Sequence, residues 1–97
     1  MKTNITPTPI CKEAVSELSF KSKEVLNNKP EIELRKRKLD RASVLGNILH
    51  NKVKIIFEDN TGPKQVETTI WAVGDKNIVL KYGLTIPIHS IYDIRML

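Results

Sequence analysis

The chain has 97 residues, of which 40% are hydrophobic and 28% charged, and its formal net charge is +5. This length suits one compact domain, and the composition is that of an ordinary globular protein. No apolar run reaches the ~18 residues that a membrane-spanning helix needs, and the first residues lack the apolar core of a secretory signal. We therefore expect a cytoplasmic protein. The single cysteine, Cys11, excludes an internal disulfide and a cysteine-rich zinc site.

Positive charge is concentrated in the first half of the chain. Residues 1–50 hold ten basic and six acidic residues, for a net charge of +4, whereas residues 51–97 hold six and five. The densest basic run covers residues 35–38, and Arg41 follows it closely. Such a distribution favours an anionic partner.

The segment from residue 10 to residue 51 is predicted to be helical. Residues 1–9 before it are polar, contain two Thr-Pro pairs and are expected to be flexible. Apolar residues then recur at helical spacing, which predicts a first helix over residues 10–27. The apolar residues on its stripe are Cys11, Ala14, Val15, Leu18 and Val25.

A second helix is predicted over residues 30–45. Pro30 suits the first turn of a helix, where its missing N–H costs nothing. Gly46 and Asn47 predict its end, because either residue tolerates a left-handed backbone. The two helices would form an αα-hairpin joined by a short turn.

After Asn51 the hydrophobic period changes from helical to alternating, which predicts strands. Turn-forming residues at 59–63 and 74–77 separate the runs. A single helical turn is expected at residues 89–91. The five predicted strands cover residues 52–58, 64–73, 78–82, 85–88 and 92–97.

This order of elements resembles the small barrels of the Sm-like and Hfq-like type, which share an SH3-like topology. Val66–Ala72 and Thr85–Ile88 also resemble a family of small uncharacterised bacterial proteins. The predicted fold is therefore α+β, with two N-terminal helices followed by a five-stranded antiparallel SH3-like or Sm-like barrel over residues 52–97. The residues that carry the resemblance are Val53-Lys54-Ile55, the turn ending in Gly62, Ile78-Val79-Leu80 and the segment from Ile88 to Ile94.

Little in the sequence indicates catalysis. The two histidines, His50 and His89, and the one cysteine have no activating base at a recognisable spacing. Two histidines without clustered carboxylates predict no metal site, and the phosphate-binding glycine motifs do not occur. We expect no enzymatic activity and no cofactor, and we interpret His89 as structural.

Cationic and aromatic residues are the candidate binding residues. Arg37, Lys38 and Arg41 group on one side of the second predicted helix, where they could contact phosphates or could form a solvated face. Lys52 and Lys54 alternate with core residues of the first strand and would extend this basic surface. Trp71 could stack a nucleobase, fill a pocket of a partner protein or lie buried beneath a helix.

The sequence therefore predicts a non-enzymatic binding module for RNA or DNA. The alternative is a protein-interaction or oligomerisation adaptor. We expect a homo-oligomer, because the apolar stripe over residues 10–27 needs cover and the last strand offers an open edge.

Overall fold

The computed structural model describes residues 6–97, which contain one α-helix, seven strands and three short 3-10 helices. The helix, α1, covers Lys29–Leu49, and the 3-10 helices cover Lys12–Glu17, Lys81–Gly83 and Ile88–Ser90. The strands are β1 (Thr8–Pro9), β2 (Val53–Asp59), β3 (Gly62–Thr68), β4 (Ile70–Val73), β5 (Asn77–Leu80), β6 (Thr85–Pro87) and β7 (Ile91–Met96).

The strands form two sheets and no closed barrel within residues 6–97. One sheet has the order β1-β3-β2-β7 and the other the order β4-β5-β6. β1 pairs with β3 in parallel, and the remaining neighbours are antiparallel. The prediction of two N-terminal helices and a five-stranded barrel is therefore wrong.

The predicted strand over residues 64–73 is divided at Thr69. Its first part is β3, which pairs with β2, and its second part is β4, which pairs with β5. Thr69 is buried between them, and its carbonyl oxygen accepts a hydrogen bond from the Lys81 N–H at 3.0 Å. The chain thus changes sheet at Thr69, and one continuous β-rich run in the sequence serves both sheets.

The first predicted helix, over residues 10–27, is replaced by a short 3-10 helix and an irregular segment. The 3-10 helix ends where Leu18 adopts an extended conformation, with φ −84° and ψ 150°. Phe20 can then turn inwards, and its ring lies 6.0 Å from that of Phe57 between centroids. A continuous helix would leave Phe20 on the face opposite its apolar stripe, so burying this ring favours the extended chain.

Hydrogen bonds fasten the irregular segment that follows, over residues 18–28, to the rest of the fold. The Asn60 N–H donates to the Ser19 carbonyl, and the Val25 N–H donates to the His89 carbonyl. The His89 Nε2 atom lies 2.8 Å from the Lys21 carbonyl oxygen, which is hydrogen-bond distance. These bonds satisfy backbone groups that have no helix to satisfy them.

The predicted flexible segment over residues 1–9 lies partly outside the described residues. Its last two residues, Thr8 and Pro9, form β1 beside Lys64 and Gln65. The Ile10 N–H continues this pairing by donating to the Gln65 carbonyl at 2.9 Å.

α1 begins and ends with recognisable caps. Asn28 Oδ1 accepts the Glu31 N–H at 3.0 Å, and Pro30 occupies the first turn. The helix continues through the predicted stop at Gly46 to Leu49. His50 is its C-cap and adopts the left-handed conformation with φ 56°. The second predicted helix therefore exists, but it extends to Leu49.

α1 packs against β4 and β7, which belong to different sheets. Its buried positions are Arg35, Leu39, Ala42 and Gly46, one per turn of helix. Leu39 and Ala42 join a core built mainly from β-branched residues of both sheets. No helix in residues 6–97 is long and apolar enough to cross a membrane.

Candidate functional site

A cleft of about 570 Å³ lies where the C-terminal end of α1 meets β4. It combines one aromatic residue, two lysines and one histidine. The residues that line it are Gly46, Asn47, His50, Lys52, Thr69, Trp71 and Lys81.

Gly46 determines how closely α1 approaches β4. A methyl group at this position would overlap the Ile70 carbonyl oxygen and crowd the Thr69 side chain. The glycine therefore serves close packing and not helix termination. Because α1 lies so near β4, its last turn forms one wall of the cleft.

Asn47 fixes the backbone of the strand that carries Trp71. Its Nδ2 donates to the Ser43 carbonyl and to the Trp71 carbonyl, both at 2.9 Å. Since carbonyl oxygens can only accept, these two bonds determine the orientation of the amide. Asn47 Oδ1 then remains as an acceptor on a residue that lines the cleft.

Trp71 lies in β4 at a register shift between Ile70 and Ala72. Its side chain is 44% exposed, so the helix end does not cover it. Of the three sequence-based interpretations, burial beneath a helix does not hold. A partly exposed indole beside a cleft has a face that a flat ring can stack on.

The cleft carries only positive or neutral side chains. Lys52 precedes β2, Lys81 follows β5, and His50 caps α1. No carboxylate is among the residues that line it in the described part of the chain. A second cleft of about 510 Å³ differs, because Glu24 and Asp75 lie in it beside Arg35, Lys76 and His89. Of these two clefts, the one beside Trp71 combines an aromatic side chain with lysines and with no carboxylate.

The structure brings together two of the six predicted site residues, Lys52 and Trp71. Arg37 and Arg41 are exposed on α1, one turn apart, and neither lines the cleft. Lys38 Nζ forms an ion pair with Asp93 at 2.7 Å.

Lys54 lies in β2 with Glu67 opposite it on one side and Arg95 on the other. It has an acidic and a basic neighbour, so its charge is partly balanced within the sheet.

The sequence did not indicate Asn47, His50 and Lys81 as residues of one site. The sequence predicts Asn47 as part of a helix stop, and it offers His50 only for catalysis or metal binding. Lys81 is followed by an aromatic residue and then by Gly83, a pattern that could have indicated an exposed basic and aromatic turn.

The chemistry available in the cleft is stacking and anion binding. A group of three or more metal-ligating side chains does not occur among residues 6–97. Cys11 is exposed and is not among the residues that line the cleft. The ammonium groups can contact an anion, and the indole can contact a planar ring.

No family model, curated protein or solved structure matches the chain. The resemblance to Sm-like and Hfq-like proteins therefore stays a prediction.

Proposed function

We propose that the protein is a non-enzymatic module that binds single-stranded nucleic acid in the cleft beside Trp71. The observation that carries this proposal is the combination of a partly exposed indole with Lys52 and Lys81, in a cleft that no acidic residue of the described chain lines. Proteins that bind single strands combine aromatic faces, on which bases stack, with cations that follow the phosphates. RNA and DNA share this chemistry.

Each cleft residue has a role in this proposal. A base stacks on the Trp71 indole, and Lys52 and Lys81 contact the phosphates next to it. Asn47 Oδ1 can accept a hydrogen bond from a base amino group, because both of its N–H bonds are already donated. A duplex does not offer an unstacked base face, so single strands are the preferred ligand.

The experiment uses the fluorescence of Trp71, which is the only tryptophan in the chain. Oligonucleotides of about ten nucleotides, single-stranded RNA and DNA and their duplexes, are titrated at ~50 mM salt. We expect quenching by the single strands and a loss of about 1–3 kcal/mol of binding free energy in Trp71→Ala, measured with a labelled oligonucleotide. No quenching by any oligonucleotide would contradict the proposal.

A matched pair of variants tests the position of the site. Lys52→Ala with Lys81→Ala removes two charges from the cleft, and Arg37→Ala with Arg41→Ala removes two charges from the exposed face of α1. We expect the first pair to weaken binding by at least tenfold more than the second. Equal losses would indicate general electrostatic attraction and would exclude a site in the cleft.

Self-association through α1 is the second candidate function. Val44 and Ile48 lie one turn apart on this helix and are 55% and 68% exposed, and Leu49 beside them is 59% exposed. Exposed apolar side chains that group on one face are typical of contacts between protein chains. We propose a second copy of this chain as the occupant, and Leu18, which packs against the core, takes no part.

Light scattering at high micromolar concentration tests this candidate. The wild type is expected to scatter as a dimer or larger assembly, and Ile48→Asp is expected to scatter as a monomer. Lys36→Asp, at another exposed position of α1, is the matched control. A wild-type protein that stays monomeric would exclude self-association.

A further inference from the structure

We infer that Tyr82 is a second stacking position, so that the site binds at least two consecutive nucleotides. This inference rests on the proposed function and extends it from the cleft to the turn between β5 and β6. Three observations carry it: the exposure of the Tyr82 ring, the backbone conformation of Tyr82 and the two lysines beside the ring.

The Tyr82 ring takes no part in the core. Its side chain is 67% exposed, and it is not among the residues that pack against the buried cluster. An aromatic residue gains most of its stabilising free energy from burial. Folding alone therefore gives little reason for an aromatic side chain at this position.

The backbone conformation of Tyr82 is unfavourable for an aromatic residue. Its φ is 70° and its ψ is 13°, in the left-handed region that bulky residues rarely adopt. Gly83 beside it has φ 80°, so the turn already contains the residue type that suits such angles. Glycine or asparagine at position 82 would form the same turn at lower cost. Residues held in rarely populated conformations cluster at binding sites.

Two ammonium groups lie over the Tyr82 ring in cation–π contact. Lys12 Nζ is 5.3 Å from the Tyr82 centroid, and Lys81 Nζ is 5.4 Å from it. Lys12 comes from the first 3-10 helix, so two distant parts of the chain place positive charge at this turn. A base that stacks on Tyr82 would displace an ammonium from the ring, and the displaced cation would stay within reach of its phosphates.

Lys81 connects this turn to the Trp71 cleft. It lines the cleft with Trp71, and its ammonium also lies over the Tyr82 ring. The phosphate between two stacked bases would lie close to Lys81, with one base on Trp71 and the other on Tyr82. The site thereby becomes a short track for a single strand and not a pocket for one nucleotide.

The test compares a mononucleotide with a dinucleotide of the same base, using quenching of Trp71 and isothermal titration. In the wild type we expect the dinucleotide to bind about five- to a hundredfold more tightly, because each stacked base adds affinity. Tyr82→Asn suits the left-handed turn and removes the ring, so the advantage of the dinucleotide should disappear. Tyr82→Phe keeps the ring and should therefore keep the tighter binding of the dinucleotide.

Thermal unfolding of the same variants separates binding from folding. Tyr82→Asn should unfold at the wild-type temperature or above it, because asparagine relieves the backbone strain. A dinucleotide that binds no more tightly than the mononucleotide, or a Tyr82→Asn variant that keeps the full advantage, would overturn this inference while the cleft proposal stands. If no nucleotide quenches Trp71, the proposed function itself fails.

Discussion

At the scale of one residue, Arg35 differs from its neighbours in the basic run, because it is buried and paired whereas Lys36 and Arg37 are exposed. It belongs to the basic run at residues 35–38, yet its side chain is only 4% exposed. Its Nη1 and Nη2 donate to the two Glu24 oxygens, each at 2.7 Å, and Nη1 also donates to the Ile91 carbonyl at 3.0 Å. The bidentate pair fastens the irregular segment to α1. Glu24 precedes Arg35 by eleven residues and lies outside any helix, so no helical spacing could reveal the pair.

The Glu24–Arg35 pair predicts loss of stability in acid. Burial raises the pKa of Glu24, but hydrogen bonds from Arg35 and from the Leu26 N–H outweigh it and hold the pKa below its ordinary value of 4.5. A carboxylate with a lowered pKa in the fold stabilises it above the unfolded pKa and loses this effect as the pH falls through the folded pKa. We expect the free energy of unfolding, measured by urea titration, to fall as the pH is lowered from about 4.5.

Glu24→Gln should remove much of this acid dependence and cost about 1–3 kcal/mol at neutral pH, because it weakens the hydrogen bonds of a buried charged donor. Part of the dependence should persist through Asp59. Burial raises the pKa of Asp59, but hydrogen bonds from Lys64 and Thr61 outweigh this effect and hold the pKa below its ordinary value. Glu33→Gln, at an exposed position of α1, is the control. An unchanged acid response in Glu24→Gln would mean that the pair contributes nothing.

At the scale of the element, the strands and the second helix were largely predictable, whereas the first helix was not. Four of the five predicted strands correspond to β2, β5, β6 and β7, because alternating apolar residues and turn residues define them locally. The remaining predicted strand, over residues 64–73, is divided in the structure, and nothing in its composition marks the change of sheet at Thr69. The single turn expected at residues 89–91 corresponds to the 3-10 helix Ile88–Ser90.

The errors in the helices come from two residues with more than one possible role. Gly46 was interpreted as a helix end, but here it permits close contact with β4. Phe20 contradicted the helical stripe over residues 10–27, and its contact with Phe57 depends on a fold that the local pattern does not contain. Local periodicity cannot distinguish an amphipathic helix from a segment held by tertiary hydrogen bonds.

β1 predicts a specific effect of truncation. It covers the edge of β3, and Ile10 after it packs against the core. Deleting residues 1–10 should expose this edge and cost about 1–3 kcal/mol through lost hydrogen bonds and apolar burial. Thermal unfolding should show a decrease of several degrees in the midpoint, together with a tendency to aggregate through the open edge.

Deleting residues 1–5 leaves β1 and Ile10 in the chain and is the matched control for the longer truncation. If the two truncated proteins unfold at the same temperature, β1 contributes nothing to stability.

At the scale of the whole molecule, the candidate site depends on the packing of α1 across both sheets. Lys52 and Trp71 could be predicted from the sequence as candidate binding residues, because Lys52 is a cation at the start of a predicted strand and Trp71 is the only tryptophan. Their neighbour Asn47 could not, because it meets them only when the end of α1 reaches β4. The pattern after Lys81 indicates a turn, but only the fold places that turn beside Trp71. The site is therefore a property of the assembled fold.

The dependence of binding on salt predicts the extent of the nucleic-acid footprint. For single strands, log affinity falls with log salt at a slope of about −0.7 for each phosphate neutralised. Lys12, Lys52 and Lys81 lie at the cleft and the Tyr82 turn, and three such contacts give a slope of about −2. The five cations that the sequence predicts, from Arg37 to Lys54, would give about −3 to −4.

We expect the smaller slope, because Lys38 is paired with Asp93 and the arginines of α1 lie outside the cleft. Titrations of a fluorescent single strand from about 50 to 200 mM salt measure it. Lys52→Ala with Lys81→Ala should flatten the slope by about 1.4, since each lost contact removes about 0.7. Arg37→Ala with Arg41→Ala should leave it unchanged. A slope near −4 that only the arginine variants flatten would instead place the phosphates along α1.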